Sequence, residues 1–193
     1  MQQKNEGKKM KNKKLVNLVL AAVFLGIGLV LPLLTGQIQK IGNMLLPMHI
    51  PVLLCGFICG PQYGLIVGGI LPLMRSAIFG MPVMYPNAVA MAFELAAYGF
   101  ISGFLFSRAK WQCVRSLYRC LITAMIGGRL VWGIAQTVLL GLAGFTFRMF
   151  IAGALLNAIP GIILQLVLIP AVMLALDKTH LVPMKKHRCQ KAE

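Results

Sequence analysis

Apolar runs of about 20 residues recur along this chain, each long enough to cross the hydrocarbon core of a bilayer as a helix. Lipid offers the backbone no hydrogen bonds, so such runs must satisfy their own N–H and C=O groups as α-helices. The expected fold class is an all-α membrane protein with six transmembrane helices, at 14–34, 50–60, 62–79, 87–106, 118–140 and 149–176. Only 12% of the 193 residues are charged and the mean hydropathy is +0.81. A soluble core of this size would not be so uniformly apolar.

The net charge of +15 would suit a nucleic-acid partner, but its distribution excludes that class. Basic residues gather at Lys4 to Lys14, Arg108 to Arg119 and Lys178 to Lys191, each group beside an apolar run. Cytoplasmic segments of membrane proteins carry this bias, and anionic lipid attracts it. With both termini inside, cytoplasmic segments hold 15 of the 19 Lys and Arg; the others are Lys40, Arg75, Arg129 and Arg148. The expected layout is a basic cytoplasmic tail at 1–13, a transmembrane domain at 14–177 and a second basic cytoplasmic tail at 178–193. The first apolar run exceeds a signal-peptide core and is read as a retained helix. The segment Arg108 to Arg119, with Trp111 and Tyr118 among basic residues, suits a short helix lying at the membrane surface.

Two opposite charges interrupt long apolar stretches: Glu94 in NAVAMAFELAAYGFISGFLF and Arg129 in LITAMIGGRLVWGIAQTVLL. An ionisable group at that depth costs a few kcal/mol or more unless it faces the protein interior. Two readings fit, a structural ion pair between helices or a functional site. Helical periodicity places other polar groups with them. Asn87, Met91, Glu94 and Tyr98 share one face of the fourth span, and Arg129, Trp132, Gly133 and Gln136 share one of the fifth. Gly153, Asn157, Gly161 and Gln165 line the sixth. At 1.5 Å per residue, Glu94, Arg129 and Asn157 lie roughly 10, 15 and 12 Å from the outer ends of their helices. They can therefore meet in the outer half of the bilayer. Gln165 reads as a group joining helices by a hydrogen bond worth about 1 kcal/mol.

Outer loops at 35–49 and 75–86 are placed to close such a site, the second carrying Met81, Met84 and Tyr85. Arg75 presents a planar donor fork suited to carboxylate or phosphate; a snorkelling role is the alternative. His49, isolated between Pro47 and Pro51, reads as structural. Small residues mark Ala22 and Gly26 in the first span and Gly60, Gly64 and Gly68 in the third, a spacing that lets helices approach closely.

Catalytic parts are missing. The chain has no HExxH, GxSxG or paired carboxylates, and no nucleotide-binding loop. Its five cysteines form no paired CxxC elements, so neither a metal nor another cofactor is expected. Four acidic residues equip a proton or sodium path poorly. The alternative to a binding protein is a self-sufficient secondary carrier of a small organic anion.

From Gly42 the chain reads GNMLLPMHIPVLLCGFICGPQYG, then from Gly68 GGILPLMRSAIFGMPVMYPNAVAMAFELAAYGFISG. This stretch resembles the substrate-binding S component of energy-coupling factor (ECF) transporters, bacterial importers of vitamins. The resemblance implies a six-helix bundle in the plasma membrane, and high-affinity capture of a small vitamin-like molecule near the outer face by the later helices and outer loops. It further implies docking through the first three helices to a transmembrane coupling subunit and two cytosolic ATPases, with release after the bundle topples. On that basis Arg75, Tyr85, Asn87, Glu94, Arg129 and Asn157 become substrate-binding candidates, and Ala22 and Gly26 the coupling interface. Two or three cations with one carboxylate suit an anionic or zwitterionic ligand. Pantothenate is the leading candidate, ahead of folate, pyridoxine-type compounds, niacin and cobalamin.

Overall fold

A computed structural model of the chain describes residues 2–33, 47–109, 113–141 and 159–178. Within them lie six α-helices: α1 (Gln2–Val30), α2 (His49–Cys59), α3 (Pro61–Phe79), α4 (Val89–Arg108), α5 (Val114–Leu140) and α6 (Ile159–Lys178). A 3-10 turn, Leu31–Leu33, extends α1, and an irregular helical turn, Met84–Ala88, leads into α4. Five of the helical stretches are long and apolar enough to span a bilayer, the first over Lys14–Leu33.

The short one is α2, whose 11 residues reach only about 16 Å. Its residues from His49 to Phe57, and Cys59, are buried, because α1, α3, α4 and α6 all pack around it. Its side chains feed both halves of the core. Leu53, Leu54 and Phe57 join Tyr98, Phe106, Leu117, Leu121, Ile169 and Met173, while Val52, Cys55 and Cys59 join Ala21, Val67, Leu71 and Leu95. A helix enclosed this way need not match the bilayer thickness by itself.

Gly60 alone separates α2 from α3. Its φ of 99° lies where only glycine is unstrained, and Pro61 opens α3 with the φ a first helical residue needs. The resulting hairpin packs on α4 with almost no side chain between. A Cβ on Gly64 would sit 2.6 Å from the Gly99 carbonyl oxygen and 2.9 Å from the Gly56 Cα. One on Gly68 would strike the Leu95 carbonyl, and one on Gly103 would lie 2.6 Å from the Gly56 carbonyl. The small-residue face of the third span is thus spent on internal packing.

Helix α1 rests on the hairpin, clipped at both ends of its apolar part. Asn17 Nδ2 donates to the Cys59 carbonyl at 3.3 Å, and Tyr63 OH to the Lys14 carbonyl at 3.3 Å. Near the other end Arg75 Nη1 donates to the Leu29 carbonyl at 3.2 Å. Its far side, with Val19, Ala22, Val23, Gly26 and Ile27, is exposed. On α5 the residues Ile126, Leu130, Ile134 and Val138 likewise face outward at the i+4 spacing of a lipid-facing stripe.

One expectation is corrected. In its described part the basic segment after Arg108 is not a separate surface helix: Val114 opens α5, so Arg115, Tyr118 and Arg119 occupy its first turns. Leu117, Cys120 and Leu121 in those turns are buried, and this apolar stripe holds them to the bundle. Trp111 lies outside the described residues, as do Gly153, Asn157 and the start of the sixth span.

Gly64→Ala is expected to force α2, α3 and α4 apart and to cost about 1–3 kcal/mol. Gly26→Ala, where an added Cβ meets nothing within 4 Å, should be tolerated. Thermal unfolding of the detergent-purified variants checks both, and an unchanged midpoint for Gly64→Ala would refute the close seam.

Candidate functional site

Three helices deliver one ionisable side chain each to a common point. Glu94, one turn into α4, is 2% exposed; His49, the first residue of α2, is 1% exposed; Arg129, midway along α5, is 13% exposed. Arg129 Nη1 lies 2.9 Å from Glu94 Oε1, and His49 Nε2 lies 3.4 Å from the same oxygen. The Tyr98 ring stands edge-on to His49 at 5.0 Å, one turn beyond Glu94. Gly128 makes room for that ring, since a Cβ there would lie 2.5 Å from Tyr98 Cδ2. The two sequence stripes therefore meet where their charges lie.

His49 was not expected at this point. A histidine opening a wholly apolar helix was the available signal, but periodicity within α2 does not say which neighbour it faces.

Above the charges a polar column continues toward the Met84–Ala88 turn. Gln136, two turns from Arg129 on the same face, is 4% exposed, and its Nε2 donates to Asn87 Oδ1 at 3.5 Å. Tyr85 OH donates to the Leu139 carbonyl at 2.7 Å. Through these two bonds the segment before α4 is tied to the last turns of α5.

The other candidates fall elsewhere. Arg75 is buried at the seam between α1 and α3, its guanidinium 5.5 Å from the centre of the Phe79 ring and bonded to the Leu29 carbonyl. There it serves the unsatisfied carbonyls at the end of α1. Neither of these contacts connects it with Glu94. Met91 packs toward the α1–α3 side of the core. Asn157 lies outside the described residues. Gln165 is fully buried, yet its amide makes no hydrogen bond among the described residues, so the expected joining bond is not formed there.

Among the described residues, several polar atoms in this region are buried without a hydrogen-bond partner: Arg129 Nε and Nη2, His49 Nδ1, Gln136 Oε1, and both amide atoms of Gln165. The large majority of buried side-chain polar atoms in folded proteins are satisfied, and each orphan costs about 1–3 kcal/mol. Chemically the arrangement presents N–H donors from a cation and one amide acceptor, around a carboxylate already held in place. Among the described residues no group of three His, Cys, Asp or Glu could hold a metal ion.

Breaking a buried ion pair from one side leaves a charge uncompensated, typically costing 3–5 kcal/mol. Glu94→Gln and Arg129→Gln are each expected to destabilise the protein on about that scale. The double variant should lose less than the sum, by at least about 1 kcal/mol. A double-mutant cycle on unfolding measures this, and a coupling near zero would show that the two side chains do not interact.

Compared with known families, the chain matches the substrate-specific component of the ECF transporter over residues 16–173. No curated protein and no solved structure matches it. The matched range runs from the start of the apolar part of α1 almost to the end of α6, and so takes in all three helices that meet at Glu94. The chain is therefore a multi-pass membrane protein of the ECF transporter substrate-specific (S) component family, a transporter subunit and not an enzyme.

Proposed function

We propose that this S component captures a water-soluble vitamin at the outer face of a bacterial plasma membrane, with pantothenate the leading candidate. Folate, pyridoxine-type compounds, niacin and cobalamin follow. Both termini lie in the cytoplasm, a reading supported by the basic residues concentrated there. Glu94 and Arg129 form the floor of the site, with Tyr85 and Asn87 at its mouth and Asn157 as a further substrate contact; Arg75, held against the end of α1, is not part of it. One observation carries the reading: a buried Arg129–Glu94 pair that leaves two guanidinium donors unpartnered. A pair serving stability alone would be expected to satisfy those donors within the protein.

Delivery depends on a transmembrane coupling subunit and two cytosolic ATPases. Ala22 and Gly26 form part of the docking face, and their exposure on α1 supports that assignment. Small residues there let a partner helix approach closely.

Native mass spectrometry and thermal-shift screening of the purified protein against water-soluble vitamins test the capture step. One strong hit is expected, and Glu94→Ala or Arg129→Ala should each weaken it at least about tenfold, or 1.4 kcal/mol. Unchanged affinity in both variants would remove these residues from the site. For docking, Ala22→Phe with Gly26→Phe should keep vitamin binding but lose co-purification with a co-expressed coupling module. Retained assembly would place the interface elsewhere.

A further inference from the structure

The unpartnered atoms around Arg129 have a geometry of their own. Nη1 faces Glu94 at 2.9 Å, while Nε and Nη2 are the atoms left without a partner. Nε–H and one Nη2–H lie in the guanidinium plane on the same side and form its side-on edge, the fork that matches the two oxygens of one carboxylate. The sequence has few carboxylates to offer that edge. It has four acidic residues: Glu94 already holds Nη1, Asp177 stands at the far end of α6, and Glu6 and Glu193 belong to the basic tails.

Gln136 adds a second requirement. It sits seven residues from Arg129 on the same face of α5, about 10 Å farther along the axis. Its Nε2 is engaged with Asn87, and its buried Oε1 is an acceptor without a donor. A molecule filling both places carries an acceptor group at the Arg129 end and an O–H or N–H donor toward the mouth. Charge narrows the class further. Arg129 and Glu94 already balance one another, so a dianionic phosphate would leave more uncompensated charge in a low-dielectric site than a single carboxylate.

Resting on the binding-subunit reading above, we infer that the ligand is a monocarboxylate seated on the Nε–Nη2 edge of Arg129, with a hydroxyl or amide N–H donor received by Gln136 Oε1. A cationic ligand meets the guanidinium unfavourably, and a neutral one offers the fork only an uncharged acceptor in place of two carboxylate oxygens.

The test uses matched acid and neutral probes on the unaltered full-length protein in detergent, read by calorimetry. Suitable pairs are pantothenate with panthenol, nicotinate with nicotinamide, and biotin with its methyl ester. One acid should bind at least about 100-fold tighter than its neutral partner. In Arg129→Lys, which keeps the charge and loses the fork, that ratio should fall at least about tenfold. Gln136→Met should weaken the same acid while leaving the acid-to-neutral ratio in place. A neutral partner that binds as tightly as its acid overturns the inference and leaves the binding-subunit reading standing. Exclusive binding of a cation such as thiamine, or of uncharged riboflavin, has the same consequence. Failure of the folded protein to bind any water-soluble vitamin overturns both.

Discussion

Burying the Glu94 carboxylate is the constraint around which the bundle is organised. At 2% exposure inside a lipid-embedded protein, a lone carboxylate would be prohibitively costly. Its partners come from two other helices, Arg129 of α5 and His49 of α2, so the charge sets the relative depth of α2, α4 and α5. Ion pairs of this kind contribute little net stability compared with apolar residues of similar volume. What the pair does in this bundle is hold an arginine at a fixed place, with its Nε and Nη2 turned away from Glu94.

The other half of the molecule is held by shape rather than charge. Gly56, Gly64, Gly68, Gly99 and Gly103 bring the α2–α3 hairpin and α4 to backbone contact. No hydrophobic effect drives helices together within lipid, so close van der Waals approach does much of this work. Helix α4 therefore belongs to both halves. One side meets the hairpin through glycine and the other carries Glu94 and Tyr98 to α5.

Periodicity made much of this legible. The predicted first span, 14–34, coincides closely with Lys14–Leu33, and 62–79 with Pro61–Phe79. Long apolar runs bounded by Gly or Pro have few other ways to fold. The stripes through Glu94 and Arg129 meet as expected, because an ionised group in lipid has few alternatives to an opposite charge. A stripe names the face of a helix, though, and not the neighbour that covers it. Hence the sequence, which reads His49 as structural, does not show that it faces Glu94. Arg75 sits against the end of α1, where unsatisfied carbonyls attract a donor that sequence alone would assign to a ligand. Near Tyr118 the aromatic and basic composition resembled a surface helix, but the buried series Leu117, Cys120 and Leu121 continues the helix inward.

The placement of charge also bears on movement. His49, Arg75 and Glu94 are buried, Arg129 nearly so, and the outward faces of α1, α5 and α6 are lined with Val, Ile and Leu. The α1–α3 layer is clipped together by hydrogen bonds at both ends and locked to α4 along the glycine seam. When such a body tilts in a bilayer, its intramembrane charges remain enclosed, so tilting does not expose them to lipid. The costs that remain come from hydrophobic mismatch, fractions of a kcal/mol per ångström, and from the basic residues at the helix ends, whose long side chains can keep their charges at the interface. The arrangement that encloses the Arg129–Glu94 pair thus also leaves the outer surface apolar, so that tilting of the bundle meets little electrostatic resistance.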